Sequence, residues 1–150
     1  DVLLPAFGGR RAAAEMAAPA EAGEELALVG HSGGGVAALH AAAALRRRGA
    51  AVRAVVMIGS PKTPVPPELK SRTAFFYAAG PGGRCRDPVC LLGSFRGRPP
   101  ACRTPLVLAG GHRDYFRTAA PFIAPSGQPN LEVTARAALD RILGAPAPGT

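Results

Sequence analysis

The chain contains no Trp, and its 150 residues include only two Tyr and six Phe. Such a small aromatic content does not favour a surface that stacks nucleic-acid bases. No zinc-ligand spacing, helix-turn-helix pattern or aromatic RNA-binding motif is visible. The net charge of +8 comes mainly from scattered Arg, with one tight run at residues 46–48. We therefore expect no nucleic-acid partner, and interpret the charge as one that favours anionic surfaces or substrates.

Long hydrophobic runs are also missing, and the uncharged stretch after residue 32 is too short and too interrupted to span a bilayer. No basic segment followed by an apolar one is visible at the N-terminus, so the sequence predicts no signal peptide within the chain. Compartment and oligomeric state are left open. The length and apolar content predict one domain at residues 1–143, followed by a flexible Pro/Gly-rich tail at residues 144–150.

Cysteine is scarce, and all three cysteines, Cys85, Cys90 and Cys102, fall in one segment rich in Gly, Pro and Arg. Their number is odd and they lack the paired Cys-x-x-Cys spacing of a metal site, so we predict no metal centre. One disulfide is compatible with this segment and leaves one thiol over. We interpret the three as loop cysteines without a catalytic role.

The most informative segment is residues 25–35, Glu-Leu-Ala-Leu-Val-Gly-His-Ser-Gly-Gly-Gly. A short apolar run leads into the Gly-x-Ser-x-Gly pentapeptide Gly30-His31-Ser32-Gly33-Gly34, and strong helix formers follow at residues 36–45. Glycines at 30, 33 and 34 omit the Cβ atoms that we expect to clash where a strand turns directly into a helix. The sequence therefore predicts a strand, a tight turn and a helix, with Ser32 at the apex as a nucleophile.

The ends of this helix support the same interpretation. Basic residues 46–48 lie at the negative end of its dipole, and Gly49 is available as a left-handed cap. At the other end, unpaired N–H groups and the positive end of the dipole point at the turn. We therefore expect the Gly33 N–H to donate to an oxyanion that forms at Ser32.

Strand and helix signals alternate along the rest of the chain. They predict a short strand at residues 2–4, a helix at 11–20, strands at 51–59, 73–79 and 105–109, and a C-terminal helix at 130–143. The apolar side of that last helix is expected to carry Leu131, Ala135, Ala138, Leu139 and Ile142. Residues 61–71 and 80–103 are predicted to be surface excursions. This order predicts an α/β fold with three layers, a mostly parallel sheet between helices, and a ligand site at the carboxyl ends of the strands.

A serine hydroxyl needs a neighbouring base, most often His, and the chain has only three. His112 follows a predicted strand and two glycines, and loops after buried strands commonly carry catalytic residues. We therefore predict His112 as the base. His31 lies inside the turn and is expected to point away from its apex. We interpret His31 and His40 as packed or solvated residues without a catalytic role.

Carboxylates after the turn are equally few: Glu68, Asp87, Asp114, Glu132 and Asp140. Asp87 follows the strand at 73–79 by a loop, so it can fold over the same sheet edge as His112 and orient its ring. We therefore predict Asp87 as the acid, although salt bridges to Arg84 and Arg86 are an alternative for this carboxylate. Asp114 is the second candidate acid, because Gly-Gly before His112 permits the sharp loop that it needs.

At this point the chain resembles the α/β-hydrolase family, and within it small serine lipases and esterases. The resemblance rests on Leu-Val-Gly-His-Ser-Gly-Gly-Gly at residues 28–35, on Val-Val-Met-Ile-Gly-Ser-Pro at 55–61, and on the order Ser, acid, His. It covers most of residues 25–143. It implies that Ser32 attacks the carbonyl of a small-molecule or lipid ester, that His112 transfers the proton, and that Asp87 holds the imidazole, with no metal or organic cofactor.

The chain departs from this family before the turn, where the family has more strands. The family draws its second oxyanion donor from a loop after an early strand, and here Phe7, within residues 5–9, is the expected donor. The alternative is that this strand is absent or precedes Asp1, which makes the domain either a compact or an N-terminally truncated α/β-hydrolase. Two other functions are kept as alternatives: an acyltransferase on the same scaffold, and a catalytically silent hydrolase-like binding domain.

Overall fold

A computed structural model describes residues 24–144 of the chain. The regular elements in this range, in chain order, are β1 (Glu25–His31), α1 (Gly33–Arg47), β2 (Ala51–Ile58), a 3₁₀-helix (Pro67–Arg72), β3 (Thr73–Ala79), a second 3₁₀-helix (Pro88–Leu91), β4 (Cys102–Val107) and α2 (Asn130–Leu143). The predicted strand at 2–4, the predicted helix at 11–20, Phe7 and residues 145–150 of the predicted tail lie outside the described residues.

The four strands form one parallel sheet in the order β1-β2-β3-β4. All four therefore end at the same edge, which is where ligands gather in sheets of this kind. Helix α1 packs on one face of the sheet and α2 on the other. The α/β fold with a parallel sheet between helices is confirmed.

The core on the α1 face extends well beyond the helix itself. Right-handed connections between successive parallel strands fall on the same side of a sheet. The connection after β2 accordingly lies on this face and buries Val65 and Leu69. We expected residues 61–71 to be a surface excursion, and for these two side chains that expectation is wrong. The prolines of this segment indicate irregular backbone, which is a different property from exposure.

Helix α2 covers the other face with Asn130, Thr134 and Ala138, the three residues of the helix that are buried. The prediction that Leu139 belongs to its packed side is wrong, because this side chain is 55% exposed. Two of the three buried residues are polar, and both make hydrogen bonds there. The Thr134 hydroxyl donates to the carbonyl of Tyr115 at 3.0 Å, and Asn130 binds the same loop.

Strand β4 begins and ends earlier than the predicted 105–109, and it contains Pro105 opposite Tyr77. Proline removes a backbone donor, so within sheets it is confined to outer strands and bulges. β4 is the outer strand on its side of the described sheet, so its outer edge needs no such donor. The apolar residues from Pro105 onward therefore predicted only the second half of β4.

Helix α1 ends as predicted, with Arg46 and Arg47 in its last turn and Gly49 in the left-handed region at φ 90°. It is rich in alanine and buries most of its length against β1 and β2. Within residues 24–144, neither this helix nor α2 is long and apolar enough to cross a membrane.

Candidate active site

Ser32 occupies the turn between β1 and α1 in a strained conformation. Its backbone has φ 56° and ψ −132°, in the region that non-glycine residues rarely adopt. Such residues cost about 1–3 kcal/mol each and persist only where the surroundings enforce them. Here the Ser32 N–H donates to the carbonyl of Ile58 at 2.9 Å, which ties the turn to the end of β2. The turn therefore holds the serine at the edge where the parallel strands end.

Two glycines allow the strand and the helix to cross at this turn. A Cβ on Gly30 would overlap the carbonyl of Gly34, and one on Gly35 would overlap the Ser60 hydroxyl. A Cβ on Gly34 would meet nothing within 4 Å, so the expected clash at that position is wrong. The helix is rotated so that Gly35, which lies outside the pentapeptide, faces the strand.

The structure brings Ser32, His112 and Asp87 together in one chain of hydrogen bonds. His112 Nε2 lies 3.0 Å from Ser32 Oγ, and His112 Nδ1 lies 3.0 Å from both carboxylate oxygens of Asp87. The Asp87 side chain is fully buried, whereas 22% of the His112 side chain is exposed. A hydroxyl, an imidazole and a carboxylate are thus in line, with the imidazole open to solvent on one side.

Asp87 is held as a carboxylate by the groups around it. Burial works to raise its pKa, but hydrogen bonds from His112, the Tyr115 hydroxyl and the Val89 N–H outweigh burial. The hydroxyl donates at 2.7 Å and the N–H at 2.9 Å. The pKa of Asp87 is therefore lower than its usual value of 3.8, so the group is ionised at neutral pH.

Asp114, the second candidate acid, has a different set of contacts. Its Oδ2 accepts from the Gly111 N–H at 2.9 Å, and its Oδ1 lies 3.9 Å from Arg117 Nε. Gly110 has φ 91°, and a Cβ there would contact the Asp114 carboxylate. Asp114 therefore closes the loop that carries His112, and it is Asp87 that contacts the ring.

Tyr115 is the first residue of the site that the sequence did not reveal. It is fully buried, and its hydroxyl accepts from the Ala78 N–H at 2.7 Å while it donates to Asp87. Burial, followed by the hydrogen bond to Asp87, raises the pKa of Tyr115, so the group is a neutral donor. Gly59 has φ 56°, and a Cβ there would lie 2.7 Å from the Tyr115 ring. The only sequence signal is an aromatic residue three positions after His112.

Asn130, the first residue of α2, fixes the ends of the His112 loop. Its Oδ1 accepts from the Ala109 N–H at 3.1 Å, and its Nδ2 donates to the Ala109 and Asp114 carbonyls at 2.7 and 2.9 Å. The side chain is fully buried, so these bonds satisfy a polar group that would otherwise be costly. No pattern in the sequence distinguishes this Asn from an ordinary residue at the start of a helix.

The His31 side chain is packed, which is one of the two expected outcomes, and the residue that it packs against is His112. Its Nε2–H donates to the His112 carbonyl at 3.1 Å, and the two rings stack with centroids 5.0 Å apart and planes at 24°. The Tyr115 and Phe116 rings make T-shaped contacts with His31, each at a centroid distance of 5.4 Å. Burial lowers the pKa of His31 below 6.5, so the ring is neutral at neutral pH. Adjacency to Ser32 was its only signal in the sequence.

Gly33, the predicted oxyanion donor, is the first residue of α1. N–H groups in the first turn of a helix have no acceptor within that helix, and the dipole makes this end positive. The turn therefore presents a donor and a partial positive charge beside Ser32. Phe7, the second predicted donor, lies outside the described residues.

All three cysteines are free thiols, so the disulfide considered above is not formed. Cys85 Sγ and the Cys90 N–H both donate to the Asp87 carbonyl, at 3.3 and 3.2 Å. These contacts stabilise the backbone of the Asp87 loop. Burial raises the pKa of the Cys90 thiol, which keeps it protonated. Within residues 24–144, no three His, Cys, Asp or Glu side chains are grouped to hold a metal ion.

The parallel sheet between helices, with a strained serine where a strand enters a helix, defines the fold class as α/β-hydrolase. The sequence model of the Thioesterase domain, a family within this fold, matches residues 10–74. The match is consistent with the α/β-hydrolase fold, and it makes this part of the chain similar to hydrolases of esters and thioesters. The matched range is less than half of the chain and includes Ser32 but neither Asp87 nor His112. Searches of curated proteins and of solved structures found no match.

Proposed function

We propose that the protein is a serine hydrolase that cleaves carboxylic esters or thioesters through an acyl-enzyme on Ser32. The observation that carries this proposal is the unbroken chain of hydrogen bonds from Ser32 Oγ through His112 to the buried Asp87 carboxylate. A hydroxyl is a weak nucleophile at neutral pH, and this arrangement is the one that activates it.

In the first half of the proposed reaction, Ser32 Oγ attacks the substrate carbonyl while His112 Nε2 accepts the hydroxyl proton. Asp87 binds Nδ1–H, which leaves Nε2 as the basic nitrogen and stabilises the imidazolium that forms. The tetrahedral oxyanion lies at the start of α1, where the Gly33 N–H donates to it. Phe7 is kept as the second donor in this proposal.

Collapse of the tetrahedral intermediate breaks the bond to the leaving group. His112 returns its proton to the departing alkoxide or thiolate, and the acyl group stays on Ser32. Water then loses a proton to His112 as it attacks the acyl carbonyl, and the proton passes back to Ser32 Oγ when the acid product leaves. The enzyme ends in its starting protonation state.

The first experiment uses a fluorophosphonate probe, which labels activated serines covalently. We expect labelling of the wild-type chain, none in Ser32→Ala and strongly reduced labelling in His112→Ala. Ser126→Ala is the matched control because Ser126 is exposed in a turn on the surface. A folded wild-type protein that stays unlabelled contradicts the proposal, as does equal labelling of Ser32→Ala.

The second experiment compares an ester and a thioester that carry the same acyl group. The match to the Thioesterase domain supports cleavage of both. A thiol leaving group with a pKa of about 8.5 needs less protonation than an alkoxide, so the His112→Ala loss should be smaller for the thioester. Product analysis also separates hydrolysis from acyl transfer: with a dilute alcohol in water, a hydrolase releases mainly the free acid, whereas a transferase passes the acyl group mainly to the alcohol.

A further inference from the structure

We propose that His31 is a positioning residue for His112, and that it acts as a neutral ring with its proton on Nε2. This inference rests on the proposed roles of Ser32, His112 and Asp87. It assigns a function to the residue that directly precedes the nucleophile, and it links the nucleophile's own strand to the loop that carries the base.

The hydrogen bond requires a defined proton position on His31. A carbonyl oxygen only accepts, so the 3.1 Å contact from Nε2 to the His112 carbonyl needs a proton on Nε2. The acceptor belongs to the main chain of the base itself. The bond therefore fixes the distance between the His112 backbone and the serine turn. The donor, His31, is the residue that directly precedes Ser32.

The stacking contact fixes a second degree of freedom. Asp87 contacts His112 only at Nδ1, with both oxygens at 3.0 Å, which leaves the ring free to tilt about that nitrogen. The face of His31 stacks on the imidazole at 5.0 Å and limits this tilt. His31 is held in turn by T-shaped contacts with the Tyr115 and Phe116 rings. Nε2 of His112 is thereby kept in line with Ser32 Oγ.

The proposal also requires His31 to be uncharged during the reaction. The titratable groups that face it are His112 and Tyr115 from the loop after β4 and Asp87 from the loop after β3. His112 becomes an imidazolium as it accepts the Ser32 proton, and a second cation stacked on it would oppose that step. Burial of His31 favours its neutral form and so avoids this repulsion.

The test compares two variants that separate the hydrogen bond from the ring. His31→Gln places an amide N–H near the position of Nε2, whereas His31→Phe keeps the ring and removes the donor. With the fluorophosphonate probe and an ester substrate, we expect His31→Phe to lower kcat by about three- to tenfold, the scale of one hydrogen bond, with KM unchanged. His31→Gln keeps a donor but removes the stacked ring, so its kcat should also fall, and His40→Gln in α1 is the control for removing a histidine outside these contacts.

Nitrogen NMR of the wild-type imidazoles gives a readout that does not depend on activity or on any variant. We expect His31 to carry its proton on Nε2 and to stay neutral at neutral pH. A proton on Nδ1 instead overturns the inference, as does wild-type kcat in a folded His31→Phe or His31→Gln variant. An unlabelled wild-type protein would instead refute the proposed function, so the two failures are distinguishable.

Discussion

The two halves of the candidate site are built in different ways. Ser32 and Gly33, the proposed nucleophile and oxyanion donor, belong to one continuous segment, residues 25–47, in which the backbone geometry positions them. Asp87 and His112 lie on separate loops, and long-range hydrogen bonds hold them there. The proposed nucleophile is thus positioned by its neighbours in sequence, whereas the proposed base and acid depend on residues far along the chain.

The supporting contacts follow the same division. The serine half depends on the absence of side chains, since Gly30 and Gly35 leave room for the strand and the helix to cross. The base and acid half depends on side chains that are present, among them Tyr115 under Asp87 and Asn130 across the His112 loop. Substitutions in the two halves should therefore disrupt the site in different ways. In the serine half they should cause steric clashes, and in the base and acid half they should remove hydrogen bonds.

The largest effect is expected from Asp87→Asn. The variant keeps a similar shape but removes the charge and allows the wrong imidazole tautomer, so kcat should fall on the order of 10³- to 10⁴-fold. Asp114→Asn is the matched control, because Asp114 binds the Gly111 N–H and contacts Arg117. Steady-state kinetics on an ester measures both. A greater loss in the Asp114 variant would reverse the choice of acid.

The next effect is a loss of stability in the serine half. Gly35→Val inserts a side chain where even a Cβ overlaps the Ser60 hydroxyl, and overpacking of this kind costs about 1–3 kcal/mol. Thermal unfolding should show a lower Tm. Gly34→Ala is the control, since that position is open and a helix gains up to about 1 kcal/mol from the change. Equal Tm shifts in the two variants would contradict the conclusion that the helix packs closely at Gly35 and not at Gly34.

A smaller effect is expected from Tyr115→Phe. This change removes a donor from Asp87 Oδ2 and leaves the buried Ala78 N–H without its acceptor, at a cost of about 1–3 kcal/mol in stability. The carboxylate, with one hydrogen bond fewer, becomes more basic and holds the His112 proton more tightly. The acidic limb of the kcat/KM profile should therefore move to higher pH. An unchanged profile would limit Tyr115 to a packing role.

The smallest effect is the pH dependence of stability. Because the folded-state pKa of Asp87 is below its usual 3.8, the carboxylate contributes stability that is fully present above that value. This contribution is lost as pH falls through the folded pKa. The Tm difference between the wild type and Asp87→Asn should thus shrink between about pH 5 and about pH 2. A difference that grows on acidification would contradict the direction of the shift.

Much of the fold was predictable from the sequence because apolar runs and glycines act locally. β3 and α2 have the predicted bounds, and the parallel sheet between helices is as expected. Three predictions about element bounds and exposure failed where packing overrode local pattern. Val65 and Leu69 are core residues in a proline-rich connection, Leu139 is exposed, and β4 begins before its proline.

The candidate site was predictable in part, for the same physical reason. Ser32, Asp87 and His112 were selected because polar residues that follow parallel strands meet at one sheet edge, and the structure brings these three within hydrogen-bond distance. His31, Tyr115 and Asn130 were missed. Their contacts depend on side-chain direction and on separations along the chain that no local pattern encodes.

The sequence determined the backbone of the serine turn and the class of the fold, since strand propensity, helix propensity and glycine placement act over a few residues. Only the tertiary structure shows that Asp87, and not Asp114, contacts the imidazole, because that contact depends on which loop folds back over the ring. It also gave His31 its place against the base. Both outcomes arise from contacts between residues about 25 and 81 positions apart, which form only when the sheet has brought the strand ends together.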